Sequence, residues 1–97
     1  MKPDKIVKEL EEVAQQLGLR VRRERGNFRG GRCTVAGKET IVLNRLHVPD
    51  IHVAVMAESL RERPLDAVFI KPAVRKALEE AWDARHARDA GEVDAVE

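Results

Sequence analysis

The apolar residues of this chain change their spacing twice, and those changes restrict the fold more than any other feature. Between Ile6 and Leu17 they recur at the 3.6-residue period (Ile6, Val7, Leu10, Val13, Ala14, Leu17), the mark of a helix with one buried stripe. Between Leu19 and Leu43 they alternate with polar residues in short runs, as half-buried strands do. From Ile51 to Leu60 they cover most of a helical circumference, so this second helix should be the most buried element. A helix, then strands, then a buried helix defines an α+β domain.

The punctuation agrees with that order. Asp4 is placed to cap the first helix and Gly18 to stop it. Leu19 and Val21 alternate with Arg20 and Arg22, which predicts a strand with a cationic outer face. Gly26-Asn27 and Gly30-Gly31 bracket a loop around Phe28, because glycine and asparagine tolerate the backbone of tight turns. Cys33 and Val35 then alternate with Arg32 and Thr34, and Ile41 and Leu43 with Thr40, Val42 and Asn44, with Gly37-Lys38 as the turn between. The expected sheet is three-stranded and antiparallel, with the helix after Pro49-Asp50 lying across it. Pro64 ends that helix. Leu65 to Ile70 reads as a connector of extended character. Pro72 opens a last helix whose face carries Val74, Ala77, Leu78, Ala81, Trp82 and Arg85 and which should end near His86 to Arg88. Residues 1–88 are thus expected to form one small globular domain and residues 89–97 a disordered acidic tail.

At 97 residues, with 43% hydrophobic but only 3% aromatic content, the chain supports a single aliphatic core. No apolar run approaches the roughly 20 residues that span a bilayer, and no signal-peptide core is evident, so a cytoplasmic location without membrane association is expected. The single cysteine, Cys33, excludes an internal disulfide and a cysteine-only zinc site.

Charge is unevenly spread. Residues 18–50 carry eight basic groups against three acidic ones, net +5, and residues 51–97 seven against ten, net −3. Arg20, Arg22, Arg23, Arg25, Arg29 and Arg32 fall within thirteen positions, with Phe28 among them. Such a face suits an acidic protein partner, or phosphates with a base stacked on the ring, or it is simply a solvated surface paired in part with Glu24 and Glu39. The overall pI near 8.0 is modest for a nucleic-acid-binding domain.

Gly31-x-Cys33, followed by Ile41-Val42-Leu43-Asn44 and then a helix reading Val55-Met56-Ala57-Glu58-Ser59-Leu60-Arg61, resembles the N-terminal part of the ImmA/IrrE metallopeptidases over roughly residues 4–62. The resemblance implies a zincin-like scaffold of helix, three strands and a zinc helix bearing His-Glu-x-x-His. Here Ala57 and Arg61 stand where that family has its two histidines. A methyl cannot ligate a metal, and a guanidinium stays protonated. Glu58 matches the general-base position but would have no activated water beside it, so it is expected to be a helix-surface carboxylate near Arg61 and Glu62.

Other chemistry finds less support. His47 and His52 are not spaced to share a helical face and read as solvent-facing or capping residues, while His86 sits among charges late in the last helix. Cys33 falls on the apolar phase of its strand and reads as buried, and neither it nor Ser59 has an identifiable base. Gly30-Gly31 does not open a helix after a strand and so is not a phosphate loop. Trp82, with Leu78 and Arg85, is a candidate protein interface, and Ala77, Ala81 and Ala84 make the last helix thin enough for a second copy to approach. The expectation is therefore a non-enzymatic interaction or adaptor module, with no cofactor and no metal, whose partner is a protein, including a homodimer partner. The alternative is a nucleic-acid- or ribosome-associated protein using Arg20, Arg22, Arg23, Arg25, Phe28, Arg29 and Arg32.

Overall fold

The computed structural model describes the chain to residue 96 and its side chains to residue 87. In order, the elements are α1 (Pro3–Gln16), β1 (Arg20–Glu24), β2 (Gly30–Val35), β3 (Lys38–Asn44), α2 (Pro49–Leu60), a 3-10 turn (Leu65–Ala67) and α3 (Pro72–Val96). The class is α+β, with three helices and one three-stranded sheet.

Helix α1 begins with Pro3 in its first turn, where a missing N–H costs nothing, so Asp4 lies inside the helix instead of capping it. Its carboxylate still meets the positive end of the helix dipole. At the other end Gly18 adopts φ +84°, and the amides of Gly18 and Leu19 return to the carbonyls of Gln15 and Ala14 at 3.0 and 2.9 Å. This reciprocal pair closes the helix as its sequence predicts.

The sheet departs from the antiparallel expectation. Its strand order is β1-β3-β2: β3 pairs antiparallel with β2 but parallel with β1. The cause lies in β3, whose Thr40, Ile41, Leu43 and Asn44 carry no charge and are all buried, whereas β1 and β2 carry arginines that stay hydrated only at the rims. The loop 25–29 therefore carries the chain past the end of β3, and the hairpin turn reverses it again, so β3 inserts between its predecessors in the direction of β1. That turn is Ala36-Gly37, one position before the expected one, and both residues have positive φ (52° and 78°), the signature of a two-residue hairpin matched to strand twist.

Residue Asn44 secures the passing loop. Its Nδ2 donates to the carbonyls of Gly26 (2.8 Å) and Phe28 (2.6 Å), its Oδ1 accepts the Leu46 amide (3.0 Å), and its own carbonyl accepts from His52 Nε2 (2.6 Å). His52 is buried, which corrects the expectation of a solvent-facing or capping residue: its ring works as a donor beneath the loop. His47 is half-buried and His86 exposed.

The core joins Val7, Leu10, Val13 and Ala14 of α1 to Ile41 and Leu43 of β3 and to Val55, Met56, Ala57 and Leu60 of α2. Helix α2 is the central element, packed on α1, on the sheet and on α3. Leu65 to Ile70 is the expected connector, with a 3-10 turn followed by extended Val68. Helix α3 contributes Val74 and Leu78, both fully buried. Lys71, just before it, donates to Glu9 of α1 at 2.8 Å, and this hydrogen bond together with the carboxylate's charge raises the ammonium pKa above its ordinary value. The assigned end of α3 lies beyond the expected one near His86 to Arg88. The disordered tail expected at 89–97 falls outside the fully described residues and gains no support.

Candidate functional site

Pairing register decides where each arginine of the basic segment goes. Arg20 stands beside Thr40 and across from Cys33, and Arg22 beside Val42 and across from Gly31, all on the outer face of the sheet. Val21, Ile41 and Arg32 form a row on the opposite, helix-covered face, as do Arg23, Leu43 and Gly30. The expected single cationic face is therefore divided. Arg20 and Arg22 lie outside, Arg23 and Arg32 lie at opposite rims of the inner side, and Arg25 and Arg29 sit in the loop.

The same register moves Cys33 to the outer face, where it is exposed, and turns Arg32 toward the helices. The sequence had suggested the reverse. At a rim, an arginine can begin on the covered side and carry its charged end past the edge to water. A cysteine on the uncovered face has nothing to bury it.

Partners differ as well. Arg23 pairs with Glu11 of α1, and Arg22 with Glu24 at 2.7 Å. Arg29 reaches Glu58 of α2 at 3.2 Å, and Arg85 of α3 meets the same carboxylate at 2.7 Å. Among the described residues no carboxylate lies within ion-pair distance of Arg20, Arg25, Arg32 or Arg61. Glu58 thus joins the loop, α2 and α3 in one arrangement, instead of pairing with its helical neighbour Arg61. No sequence pattern announces this, because the partners stand 29 and 27 positions from Glu58.

These groups surround a shallow cleft of about 220 Å³ lined by Arg32, Glu58, Ser59, Arg61, Glu62 and Arg85. Ser59 is buried, and its hydroxyl donates to the Val55 carbonyl at 2.8 Å, a bond back along its own helix that occupies the proton. Ala57 turns its side chain into the core and offers only its carbonyl, which accepts the Trp82 indole N–H at 2.7 Å. Among the described residues no group of three or more His, Cys, Asp and Glu side chains could hold a metal ion. The cleft is suited to binding anions through planar guanidinium groups.

Around the rim of β2, on the outer face, runs an open, mainly apolar groove of about 370 Å³ lined by Phe28, Arg29, Gly30, Gly31, Arg32, Cys33 and Val42. Phe28 is 36% exposed, and Leu46, Val48 and Ile51 add exposed apolar surface nearby in sequence and, for Leu46, in the concavity that Phe28 also lines. The sequence reading passed over Leu46 and Val48, and it counted Ile51 among the apolar residues of the most buried helix, whereas Ile51 is exposed.

The candidate interface on α3 fares differently. Leu78 is fully buried, and Trp82 is half-buried with its indole N–H bonded to the Ala57 carbonyl of α2, so both anchor α3 on the core and only Trp82 keeps surface exposed. Arg85 is the member of that trio that reaches the cleft. No helix among the described residues is long and apolar enough to cross a membrane. Compared with known proteins, the chain matches no protein-family model, no curated protein and no solved structure.

Proposed function

We propose that this chain is a non-catalytic interaction module of the cytoplasm, built on a degenerate metallopeptidase-like scaffold, and that it holds an acidic protein partner at the arginine cleft. The observation that carries this reading is the sharing of Glu58 between Arg29 and Arg85 in a cleft that Arg32 and Arg61 also line. At the position where the resemblance puts the general base of a zinc peptidase, this carboxylate is held in ion pairs with two guanidinium groups. Ala57 and Arg61 have no lone pair to give a cation. What remains, among the described residues, is a cleft lined by Arg32, Arg61 and Arg85 with Glu58 and Glu62, in which Arg32 and Arg61 stand ready for the acidic side chains of a partner.

A nucleic-acid reading rests on a different part of the molecule, the outer face, where Arg20 and Arg22 lie on the same sheet surface that Phe28 borders. The two readings separate in one experiment: affinity capture from native lysate with and without nuclease, using the parent protein, the pair Arg32→Ser and Arg61→Ser, and the pair Arg20→Ser and Arg22→Ser. Acidic proteins retained after nuclease and lost with the first pair support the cleft. Retention abolished by nuclease and by the second pair transfers the function to nucleic acid. Stoichiometric zinc in protein purified without added metal would overturn the non-catalytic reading.

A further inference from the structure

Both rims of the sheet are open edges, and the β2 rim is the one that borders the arginine cleft. Strand β2 pairs only with β3, and among the described residues Gly30–Val35 make no other backbone hydrogen bond. Natural edges are defended by proline, bulges, covering segments or charges, and on β2 the single charge, Arg32, repels basic strands while admitting acidic ones. β2 has no proline, and Gly30-Gly31 leave part of it without side chains altogether. Gly30 could not be otherwise, since a Cβ there would stand 2.5 Å from the Val42 carbonyl oxygen.

What lies above and below this rim differs by face. Arg32 points to the helix side, into the cleft that Arg61 and Arg85 share with Glu58. Gly31 and Cys33 lie on the outer side, in the mainly apolar groove with Phe28 and Val42, whose margin Arg29 and Arg32 also line. A strand laid alongside β2 has side chains that alternate between the same two faces.

We infer that the β2 edge receives an extended segment of an acidic partner protein by strand addition, the partner's acidic side chains entering the arginine cleft and the alternate, apolar ones the groove beside Phe28. This inference rests on the interaction reading and sharpens it. Backbone hydrogen bonds supply the attachment, and the alternation of charge and apolarity sets the register, because a slip of one residue would carry the carboxylates away from Arg61 and Arg85 and set apolar side chains against those two guanidinium groups. Charge also selects the occupant. An antiparallel pairing of β2 with a second copy of itself would bring Arg32, Arg29 and their neighbours together with no acidic residue in either strand to offset them.

The test uses a blocked hexapeptide of alternating valine and glutamate and a second of the same composition with three valines followed by three glutamates. Binding is followed by nuclear magnetic resonance and amide exchange on the full chain. The alternating peptide should bind saturably and slow exchange at alternate β2 amides, and the block peptide should bind at least about tenfold more weakly. N-methylation of the peptide amides that face β2 should abolish binding, while methylation of the intervening ones should leave it, a readout that requires no change to the protein. Arg32→Glu, with its unfolding midpoint measured to show that it folds, should weaken the alternating peptide at least about tenfold. Equal binding of both peptides, or binding that leaves the β2 amides unprotected while shifting Arg32 and Arg61, overturns strand addition yet leaves an acidic-partner cleft standing. No interaction with either peptide removes both. A dimer of the protein alone with protected β2 amides would assign the edge to a second copy and overturn the inference.

Discussion

The β1 and β2 rims flank the same central strand, both carry arginines, and they end in opposite states. On the β1 side Arg23 meets Glu11 of a helix packed beside the strand, and Arg22 meets Glu24 two residues along. On the β2 side no carboxylate among the described residues pairs with Arg32, and two successive glycines keep the backbone accessible. Charge alone therefore does not set availability. What distinguishes the rims is where the fold has supplied counter-charge: two of the three β1 arginines have it, whereas the single arginine of β2 does not among the described residues.

The contrast can be broken at its most constrained point. Gly30→Val demands a side chain at φ +102° and inside contact distance of the Val42 carbonyl. The variant should lose about 3 kcal/mol of stability or more, read from urea unfolding, with β2 detaching before β1 in amide exchange. A parent-like midpoint would show that the edge is more pliable than its backbone suggests.

Asn44→Ala removes the lashing of the loop that separates the two rims. With three side-chain hydrogen bonds lost from a buried residue, the expected cost is about 2–3 kcal/mol, accompanied by faster exchange at the Leu46 amide. A cost under about 1 kcal/mol would mean that water replaces those bonds. Ala36→Asn acts in the other direction. Alanine at φ 52° is strained, and asparagine before Gly37 is the favoured pair for this turn, so the β2–β3 hairpin should gain about 1 kcal/mol, seen as a higher melting temperature.

The smallest effect sharpens the comparison on the β1 side. Arg23→Ala breaks an exposed ion pair and should cost only about 0.5 kcal/mol, vanishing in high salt. A larger, salt-insensitive loss would mean that the arginine's hydrocarbon stem, not its charge, closes that rim.

How much of this was readable from residues alone follows from the range of each signal. Helix α1 and its stop at Gly18 were legible, because both periodicity and capping are local. So was the burial of α2, whose apolar residues run around its circumference. The parallel pairing of β1 with β3 was not, since the alternation Leu19-Arg20-Val21-Arg22 is the same whichever strand lies beside it. The phase of β2 was misread because hydropathy puts Cys33 inside and Arg32 outside, and a rim reverses that preference for a long cationic side chain. Of the candidate site, the arginines and Phe28 were visible, but Arg29–Glu58–Arg85 joins three elements distant in sequence, and Asn44's role appears only once the loop is seen to pass over it.

The strand order also dictates the sequence of assembly. The β2–β3 hairpin closes through two residues and can form early, whereas β1 has no neighbour until β3 has been made, because Arg20 must wait for Thr40. During synthesis on a ribosome, β1 therefore emerges as an orphan, and its arginines keep it hydrated and apart from other nascent chains until its place beside the hairpin exists.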